Sequence, residues 1–199
     1  MQERALAIEE RAYGRDHTEV AITLGNLGNA YGSLGDYAKK RDMLERALAI
    51  NESKYGADHS VTTVCREALA SLSALMNSPL HVAAKKGDIE AVTQLLEDGA
   101  EVNRTLPYGQ TPLFFACEKG HVDAARLLLE RGADVHKSDS HNSTPLHISC
   151  FEGHIEVVRM LLANGADMNS EDKDGDKPIV NALVQDHSAI VGLLETASL

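Results

Sequence analysis

The first half of the chain places apolar residues at the spacing of amphipathic α-helices. Two apolar stripes occupy residues 18–34 and 36–55. They consist of Val20, Leu24, Leu27 and Tyr31, and then of Tyr37, Leu44, Ala47, Leu48 and Ile50. Gly35 and Asp36 mark a turn between them, since both residue types favour turns over helix interiors. The pattern predicts an antiparallel helix pair in which each helix buries one face.

The second half repeats a shorter pattern four times, at intervals of 33 residues. The four segments begin Ser78-Pro79-Leu80-His81, Thr111-Pro112-Leu113-Phe114, Thr144-Pro145-Leu146-His147 and Lys177-Pro178-Ile179-Val180. A hydroxyl residue before proline is typical of a helix start, because the hydroxyl caps free amides and proline has no amide to leave unpaired. Lys177 cannot cap in this way. Gly99, Gly132 and Gly165 are placed to end the second helix of the first three segments, so we expect pairs of short helices.

The first half has a longer period of its own. Ala5-Leu6-Ala7-Ile8 recurs as Ala47-Leu48-Ala49-Ile50, and Asp16-His17 recurs as Asp58-His59, in both cases 42 residues apart. Fixed periods of this size are typical of stacked helical units that bury their apolar faces against neighbours. Such a stack presents a long surface rather than enclosing a pocket, which favours binding over catalysis.

The residues around the first turn match a known signature. They are Leu27-Gly28, Tyr31, Gly35, Tyr37, Leu44 and Ala47, followed by Tyr55-Gly56 and Asp58-His59. They resemble tetratricopeptide repeats of the kinesin-light-chain type, although Lys40 stands where that family usually has a small residue. We expect a partial tetratricopeptide segment over residues 1–77, with one complete unit and half-units.

The 33-residue segments share further features. Each of the first three has a glycine turn between its two helices, at Gly87-Asp88, Gly120-His121 and Gly153-His154. They are similar to ankyrin repeats, which implies β-hairpin fingers between units. The expected fold class is all-α: an α-solenoid of tetratricopeptide helix pairs, followed over residues 78–199 by an ankyrin-repeat stack with short β-hairpin fingers. Its four units begin at residues 78, 111, 144 and 177.

Composition narrows the kinds of partner. The formal net charge is −11, whereas nucleic acid and anionic membranes require a clustered positive field, so we expect neither as a partner. No apolar run approaches the roughly 18 residues that span a bilayer. The three cysteines, Cys65, Cys117 and Cys150, are odd in number, which favours buried thiols over a disulfide or metal site. We expect an intracellular, cytoplasmic protein.

The resemblance to ankyrin repeats implies a binding surface formed by finger tips and by the exposed side of each first helix. By position this surface contains Pro107, Tyr108, Gln110, Phe115, Glu118 and Lys119, then Ser140, His141, Ser143, Ile148, Phe151 and Glu152, and finally Lys173, Asp174, Asp176, Asn181 and Gln185. Aromatic residues among polar ones are typical interface anchors, so Tyr108, Phe115 and Phe151 are expected to contact a partner. The alternative is that Phe115 and Phe151 fill gaps between adjacent first helices.

The tetratricopeptide resemblance implies a second surface. Family grooves bind extended peptides through the first helix of each pair, and Asn26 and Asn29 occupy such positions. One asparagine amide can both donate to and accept from a peptide backbone. The alternative is that both are ordinary surface or inter-helix residues, since one and a half repeats form only a shallow groove.

The sequence disfavours calcium binding, metal binding by histidines and catalysis. Asp172-Lys173-Asp174-Gly175-Asp176 has the alternating carboxylates of a calcium-binding loop, but Lys177 and Leu183 stand where that loop needs glycine and a bidentate glutamate. Most of the nine histidines are repeat equivalents in turns or helix starts; His136 and His141 are not, and two histidines alone make a weak metal site. No nucleophile, zinc or phosphate-loop motif is present. We expect no cofactor, no metal and no catalytic residues.

The sequence therefore predicts a non-catalytic scaffold or adaptor that binds a protein or peptide, and basic residues in that partner would complement the acidic fingers. Two alternatives remain open at this point. The chain could be a regulatory segment of a larger, enzyme-bearing polypeptide that docks in cis, or it could be a calcium sensor. The identity of the partner and the oligomeric state do not follow from the sequence.

Overall fold

A computed structural model of the protein describes residues 2–197, which leaves Met1, Ser198 and Leu199 outside the description. Within that range the chain forms twelve helices. They are α1 (Gln2–Tyr13), α2 (Thr18–Ser33), α3 (Tyr37–Tyr55), α4 (Ser60–Met76), α5 (Pro79–Lys86), α6 (Ile89–Glu97), α7 (Pro112–Glu118), α8 (Val122–Glu130), α9 (Pro145–Glu152), α10 (Ile155–Ala163), α11 (Pro178–Val184) and α12 (Ser188–Ala197). Packing divides them into two compact units, Met1–Asn77 and Ser78–Leu199.

The first unit stacks its four helices in chain order, since α1 packs on α2, α2 on α3 and α3 on α4. The apolar stripes predicted from the sequence face inward. Val20, Leu24 and Ile50 are at most 4% exposed and form one cluster with Ala21 and Ala47. The helix pair expected from the spacing of apolar residues is therefore confirmed by α2 and α3.

Close approach of α2 and α3 depends on glycine. A Cβ atom added to Gly28 would lie 3.3 Å from the Met43 Cβ, and one added to Gly32 would lie 2.7 Å from Lys40 Cδ. Lys40 thus fills the space that Gly32 leaves open, and its burial lowers the pKa of the ammonium group. This packing accommodates the long side chain of Lys40 at a position where the sequence comparison led us to expect a small residue.

The recurring linker of the first unit has a repeated geometry. His17 caps α2 by accepting a hydrogen bond from the Glu19 amide, and His59 caps α4 by accepting one from Val61. Each ring stacks on the tyrosine at the end of the preceding helix, with centroid distances of 5.0 Å for Tyr13 and 4.6 Å for Tyr55. The 42-residue recurrence of these residues therefore reflects a recurring helix–helix corner.

The second unit consists of four antiparallel helix pairs, α5–α6, α7–α8, α9–α10 and α11–α12, each packed on the next. One apolar cluster runs through all four pairs, from Leu80 to Leu194. Thr111 and Thr144 cap α7 and α9 through their hydroxyl groups, whereas Ser78 and Lys177 make no side-chain cap. The predicted periodic helix pairs are confirmed. Lys177 makes no cap, as expected, whereas the side-chain cap expected from Ser78 is wrong.

Consecutive pairs are joined by a histidine that docks on a glycine of the pair before it. The Nε2 atoms of His121, His154 and His187 each donate to a backbone carbonyl 36 residues earlier, at 3.1 Å. Each ring lies over a glycine with positive φ, so close that an added Cβ on Gly87, Gly120 or Gly153 would come within 2.7 Å of it. We call these three contacts the glycine–histidine locks. They fix the register of neighbouring pairs by contacts to the backbone itself.

The fingers between pairs are turns, and no β-strand is found in the range 2–197. Each finger closes with two backbone hydrogen bonds. The amides of Leu106, Asp139 and Asp172 donate to the carbonyls of Gln110, Ser143 and Asp176 at 3.0 Å, and the amides of Gly109, Asn142 and Gly175 donate back to Leu106, Asp139 and Asp172 at 2.8–3.1 Å. A strand ladder needs further pairs, and these loops are too short to form them. The hairpin fingers expected from the sequence are therefore found only as hydrogen-bonded turns.

Candidate protein-binding surface

The three finger tips are tied to one another through their backbones. The Ser140 amide donates to the Tyr108 carbonyl at 2.8 Å, and the Lys173 amide donates to the His141 carbonyl at 2.9 Å. Tyr108, at the first tip, is 41% exposed, and Gln110 at its base is half-buried. The tips thus form a continuous row in which exposed side chains have fixed spacing.

The second finger is shaped by one carboxylate. Asp139 Oδ1 accepts hydrogen bonds from the amides of His141 and Ser143, at 2.8 Å and 3.0 Å. This arrangement leaves Ser140 and His141 exposed at the tip and Ser143 half-buried at the base. Asn142 adopts a left-handed backbone, with φ 58°, which asparagine tolerates better than most residues.

The third finger repeats the same geometry. Asp172 Oδ1 accepts from the amides of Asp174 and Asp176, both at 3.0 Å, and Lys173, Asp174 and Asp176 are exposed. One carboxylate of the calcium-like sequence is therefore used to fold the turn. Among residues 2–197, no group of three or more His, Cys, Asp or Glu side chains is arranged to hold a metal ion.

Phe115, expected as an exposed anchor, is only 8% exposed. Its ring meets His81 and Phe114 edge-on, with centroid distances of 6.0 Å and 6.3 Å, and the Lys85 ammonium lies 4.7 Å above it. The packing corresponds to the alternative in which this phenylalanine fills a gap between first helices. Phe115 therefore supports the shape of the surface and offers little area for direct contact.

Glu118 and Lys119, at the end of α7, pair with each other. Lys119 Nζ lies 2.9 Å from Glu118 Oε1, and Lys85 Nζ lies 3.8 Å from Glu118 Oε2. All three side chains are partly covered, with relative exposures between 19% and 33%. The two ammonium groups thus share the single carboxylate of Glu118, which is paired within the unit.

The next two first helices expose apolar side chains. Phe151 is 41% exposed at the end of α9, beside the exposed Glu152, while Ile148 one turn earlier is half-buried. At the end of α11, Val184 is 70% and Leu183 is 54% exposed, next to the half-buried Asn181 and the exposed Gln185. Val184 was not among the predicted surface residues, although the 33-residue register places it at the position of Phe151.

The first unit has an exposed stripe on α2. Ile22, Asn26 and Asn29 are spaced at i, i+4 and i+7, which places them on one helix face, and all three are exposed. Ile22 is 59% exposed and its 42-residue equivalent on α4, Val64, is 63% exposed. Neither aliphatic residue was predicted for this surface, because that expectation rested on the hydrogen-bonding capacity of asparagine.

Two histidines that recur at helix starts of the second unit, His81 and His147, are structural. His147 Nε2 donates to the Asp176 carbonyl at 3.1 Å, and its Nδ1 accepts from the Thr144 amide at 3.2 Å, which specifies the neutral ring. Burial lowers the pKa of His147 and of His81, against the opposing effect of the carbonyls that their rings contact. These rings join first helices to the fingers that follow them.

The buried cysteines are free thiols inside the helix stack. Cys117 and Cys150 are fully buried, and burial raises the pKa of each to about 12. A thiol in this state is a poor nucleophile and a poor metal ligand. Both residues act as small apolar side chains between neighbouring first helices.

Comparison with known families matches both parts of the chain. A model described as tetratricopeptide repeat matches residues 1–53, and one described as ankyrin repeats matches in three copies, over residues 49–139, 80–172 and 136–197. No curated protein matches the chain. The kinesin-light-chain type stays a prediction, since the matching family model is the tetratricopeptide repeat in general.

The first ankyrin match overlaps the first unit. It runs over residues 49–139, and its first part, residues 49–77, belongs to the unit Met1–Asn77, in which α4 packs on α3. This part lacks the hydroxyl–proline start and the turn glycine of the later helix pairs. None of the helices in residues 2–197 is long and apolar enough to cross a membrane. With matches that together span residues 49–197, the chain belongs to the ankyrin-repeat family and carries a tetratricopeptide-repeat segment before its ankyrin repeats.

Proposed function

We propose that this chain is a non-catalytic scaffold that binds a protein partner on the finger tips and the exposed side of the first helices in its ankyrin unit. Tetratricopeptide and ankyrin repeats are protein–protein interaction modules and are typically non-catalytic. The observation that carries the proposal is the backbone bonding between finger tips, which holds Tyr108 and its neighbours in one rigid row. A surface that is ordered beforehand loses little conformational entropy when a partner binds.

The charge of the ankyrin unit supports a basic protein partner. Residues 78–199 contain nineteen Asp and Glu against ten Lys and Arg, whereas residues 1–77 contain eleven against nine. A negative surface repels nucleic-acid phosphates and attracts cationic side chains. Three free cysteines are compatible with the reducing interior of the cell, and we propose a cytoplasmic location.

The proposal is tested by capture from a cell lysate with wild-type protein and with the double variant Tyr108→Ala, Phe151→Ala. Loss of the captured partners is expected, because aromatic anchors carry a large share of interface energy. Ile89→Ala is the matched control, since Ile89 is 38% exposed in the same unit but lies on a second helix. Equal capture by the double variant, or loss of helicity in circular dichroism, would contradict the proposed surface.

A further inference from the structure

The exposed side of the first helices changes its chemistry along the ankyrin unit. Equivalent positions 33 residues apart, in the last turn of α5, α7, α9 and α11, hold Lys85, Glu118, Phe151 and Val184. We call these four residues the first-helix row. The first two members are charged and the last two are apolar, although all four have the same place in the repeat.

The charged members of the row already have partners inside the unit. Lys85 and Glu118 pair at 3.8 Å, Lys119 approaches Glu118 at 2.9 Å, and the Lys85 ammonium lies over the Phe115 ring. A binding partner that used these groups would have to replace interactions that are present before it arrives. This part of the row is therefore a poor source of additional affinity.

The apolar members are exposed and lie on neighbouring helices. Phe151 is 41% and Val184 is 70% exposed, and their helices α9 and α11 pack against each other. His187, just after α11, donates to the Phe151 carbonyl at 3.1 Å, which ties the ends of the two helices together. Packed helices lie about 8–10 Å apart, so one large apolar side chain can contact both Phe151 and Val184.

The surroundings of this pair are acidic. Residues 144–199 contain nine Asp and Glu against three Lys and Arg, whereas residues 78–143 contain ten against seven. The exposed Glu152 directly follows Phe151, and the exposed Asp186 follows Val184 by two residues. Negative charge around an apolar pair favours a ligand that has positive charges on either side of an apolar group.

We propose that the ankyrin unit binds a partner segment that carries a large apolar side chain flanked by lysine or arginine, and that Phe151 and Val184 cover this side chain. The inference rests on the proposed function and narrows it to the last two helix pairs. Burial of the apolar group supplies most of the affinity, while the flanking cations orient the segment and accelerate its association.

A defined peptide tests this chemistry. The full chain is titrated into fluorescently labelled Gly-Lys-Lys-Leu-Phe-Lys-Lys-Gly and into two matched peptides. One has serine in place of leucine and phenylalanine, and the other has glutamate in place of every lysine. Each matched peptide is expected to bind at least ~10-fold more weakly, because it lacks either the buried apolar groups or the charge complementarity. Absence of binding by the first peptide, or equal binding of the glutamate peptide, overturns the proposal.

Variants of the chain locate the site. Val184→Ser, and separately the shape-conserving Val184→Thr, should weaken binding of the first peptide by about 3–10-fold, since each puts a polar group into the covered contact. Glu152→Lys should also weaken binding of the first peptide, because it replaces an attractive negative charge near the peptide's lysines with a positive one. Ile89→Ser and Glu90→Lys are matched controls on the second helix α6, and both original side chains are exposed. The proposal is wrong if the Val184 variants behave like Ile89→Ser while circular dichroism shows unchanged helicity.

Failure of this inference can be told apart from failure of the proposed function. If lysate partners are lost with Tyr108→Ala, Phe151→Ala but are retained by both Val184 variants, the scaffold function stands and the narrower site is wrong. If the double variant retains every partner, the proposed function itself fails.

Discussion

The two units use the same element, a pair of antiparallel helices, but they hold neighbouring helices together in different ways. In the first unit the links outside the core depend on long, flexible arginine side chains. Arg46 pairs with Glu10 at 2.6 Å and Arg66 with Glu52 at 2.7 Å, and the same guanidinium groups reach the carbonyls of Arg15 and Ala57. In the second unit the glycine–histidine locks and the finger bonds end on backbone atoms. Backbone contacts leave fewer rotatable bonds between neighbours, so the ankyrin unit is the better fixed platform for binding.

The largest expected effect compares the two cores. Leu128→Ala and Leu24→Ala each remove a side chain that is fully buried, Leu128 in the long cluster of the ankyrin unit and Leu24 in the small cluster of the first unit. We expect the free energy of unfolding to fall by about 3–5 kcal/mol in Leu128→Ala and by about 2–3 kcal/mol in Leu24→Ala. The second loss is smaller because a small cluster collapses more readily around a cavity. Hydrogen exchange of the amides in each unit measures both. A larger loss for Leu24→Ala would reverse the comparison.

The second-largest expected effect concerns the glycine–histidine lock between Gly120 and His154. Gly120→Ala places a Cβ 2.6 Å from His154 Nδ1 at a residue with φ +71°, whereas Gly132→Ala has φ +89° and nothing within 4 Å of the new Cβ. Both substitutions destabilise the folded protein by about 1–2 kcal/mol, because alanine is strained in the left-handed backbone. Gly120→Ala should lose a further ~1–3 kcal/mol through overpacking against the ring. Equal losses in denaturant unfolding would show that the locks contribute no rigidity.

Acid should weaken the ankyrin unit through its buried histidines. Burial lowers the pKa of His81 and His147 in the folded protein, so the unfolded chain binds more protons once the pH falls below the ordinary histidine pKa of about 6.5. Their contribution is intact above that pH and is lost as the pH falls towards the lower, folded pKa. We expect the melting temperature to drop between about pH 7 and pH 5, and to drop less in His147→Gln. His136→Gln, at an exposed histidine, is the control; an unchanged slope in His147→Gln would contradict the assignment.

The smallest expected effect lies in the first unit. Arg66→Ala removes an ion pair whose two side chains are 46% and 43% exposed. Exposed pairs contribute less than about 1 kcal/mol, and salt screens them, so the difference from wild type should shrink further in about 0.5 M NaCl. A loss comparable to that of Gly120→Ala would mean that side-chain links hold the first unit as firmly as locks hold the second.

Much of the fold follows from periodicity. The positions of Val20, Leu24 and Ile50 in one core, and the helix starts at Thr111 and Thr144, could be predicted because helix period and capping chemistry are local properties of the chain. The locks could not be predicted in the same way. His154 looked like a turn residue, and its contact lies 36 residues away, at the Glu118 carbonyl.

The surface was harder to predict than the core. Phe115 and Phe151 looked alike in the sequence, yet one is buried and the other exposed, because His81, Phe114 and Lys85 surround Phe115. The two phenylalanines also hold different places in the 33-residue repeat, since Phe115 is equivalent to Ile148 and Phe151 to Glu118. Exposure therefore depends on the place in the repeat and on side chains from the neighbouring helix pair. Val184 was missed although its repeat register was known, because an aliphatic side chain alone does not distinguish a surface position from a core position.

Asp186 shows why the glycine–histidine locks require glycine. It occupies the position of Gly87, Gly120 and Gly153 and has the same left-handed backbone, with φ 59°, yet it carries a full side chain. The turn itself therefore accepts a Cβ, and it is the docking imidazole that excludes one. If the pair α11–α12 were copied into the middle of the ankyrin unit, the copy of Asp186 would be pressed against the histidine ring of the next pair. The copied pair would therefore pack only if that aspartate were replaced by glycine.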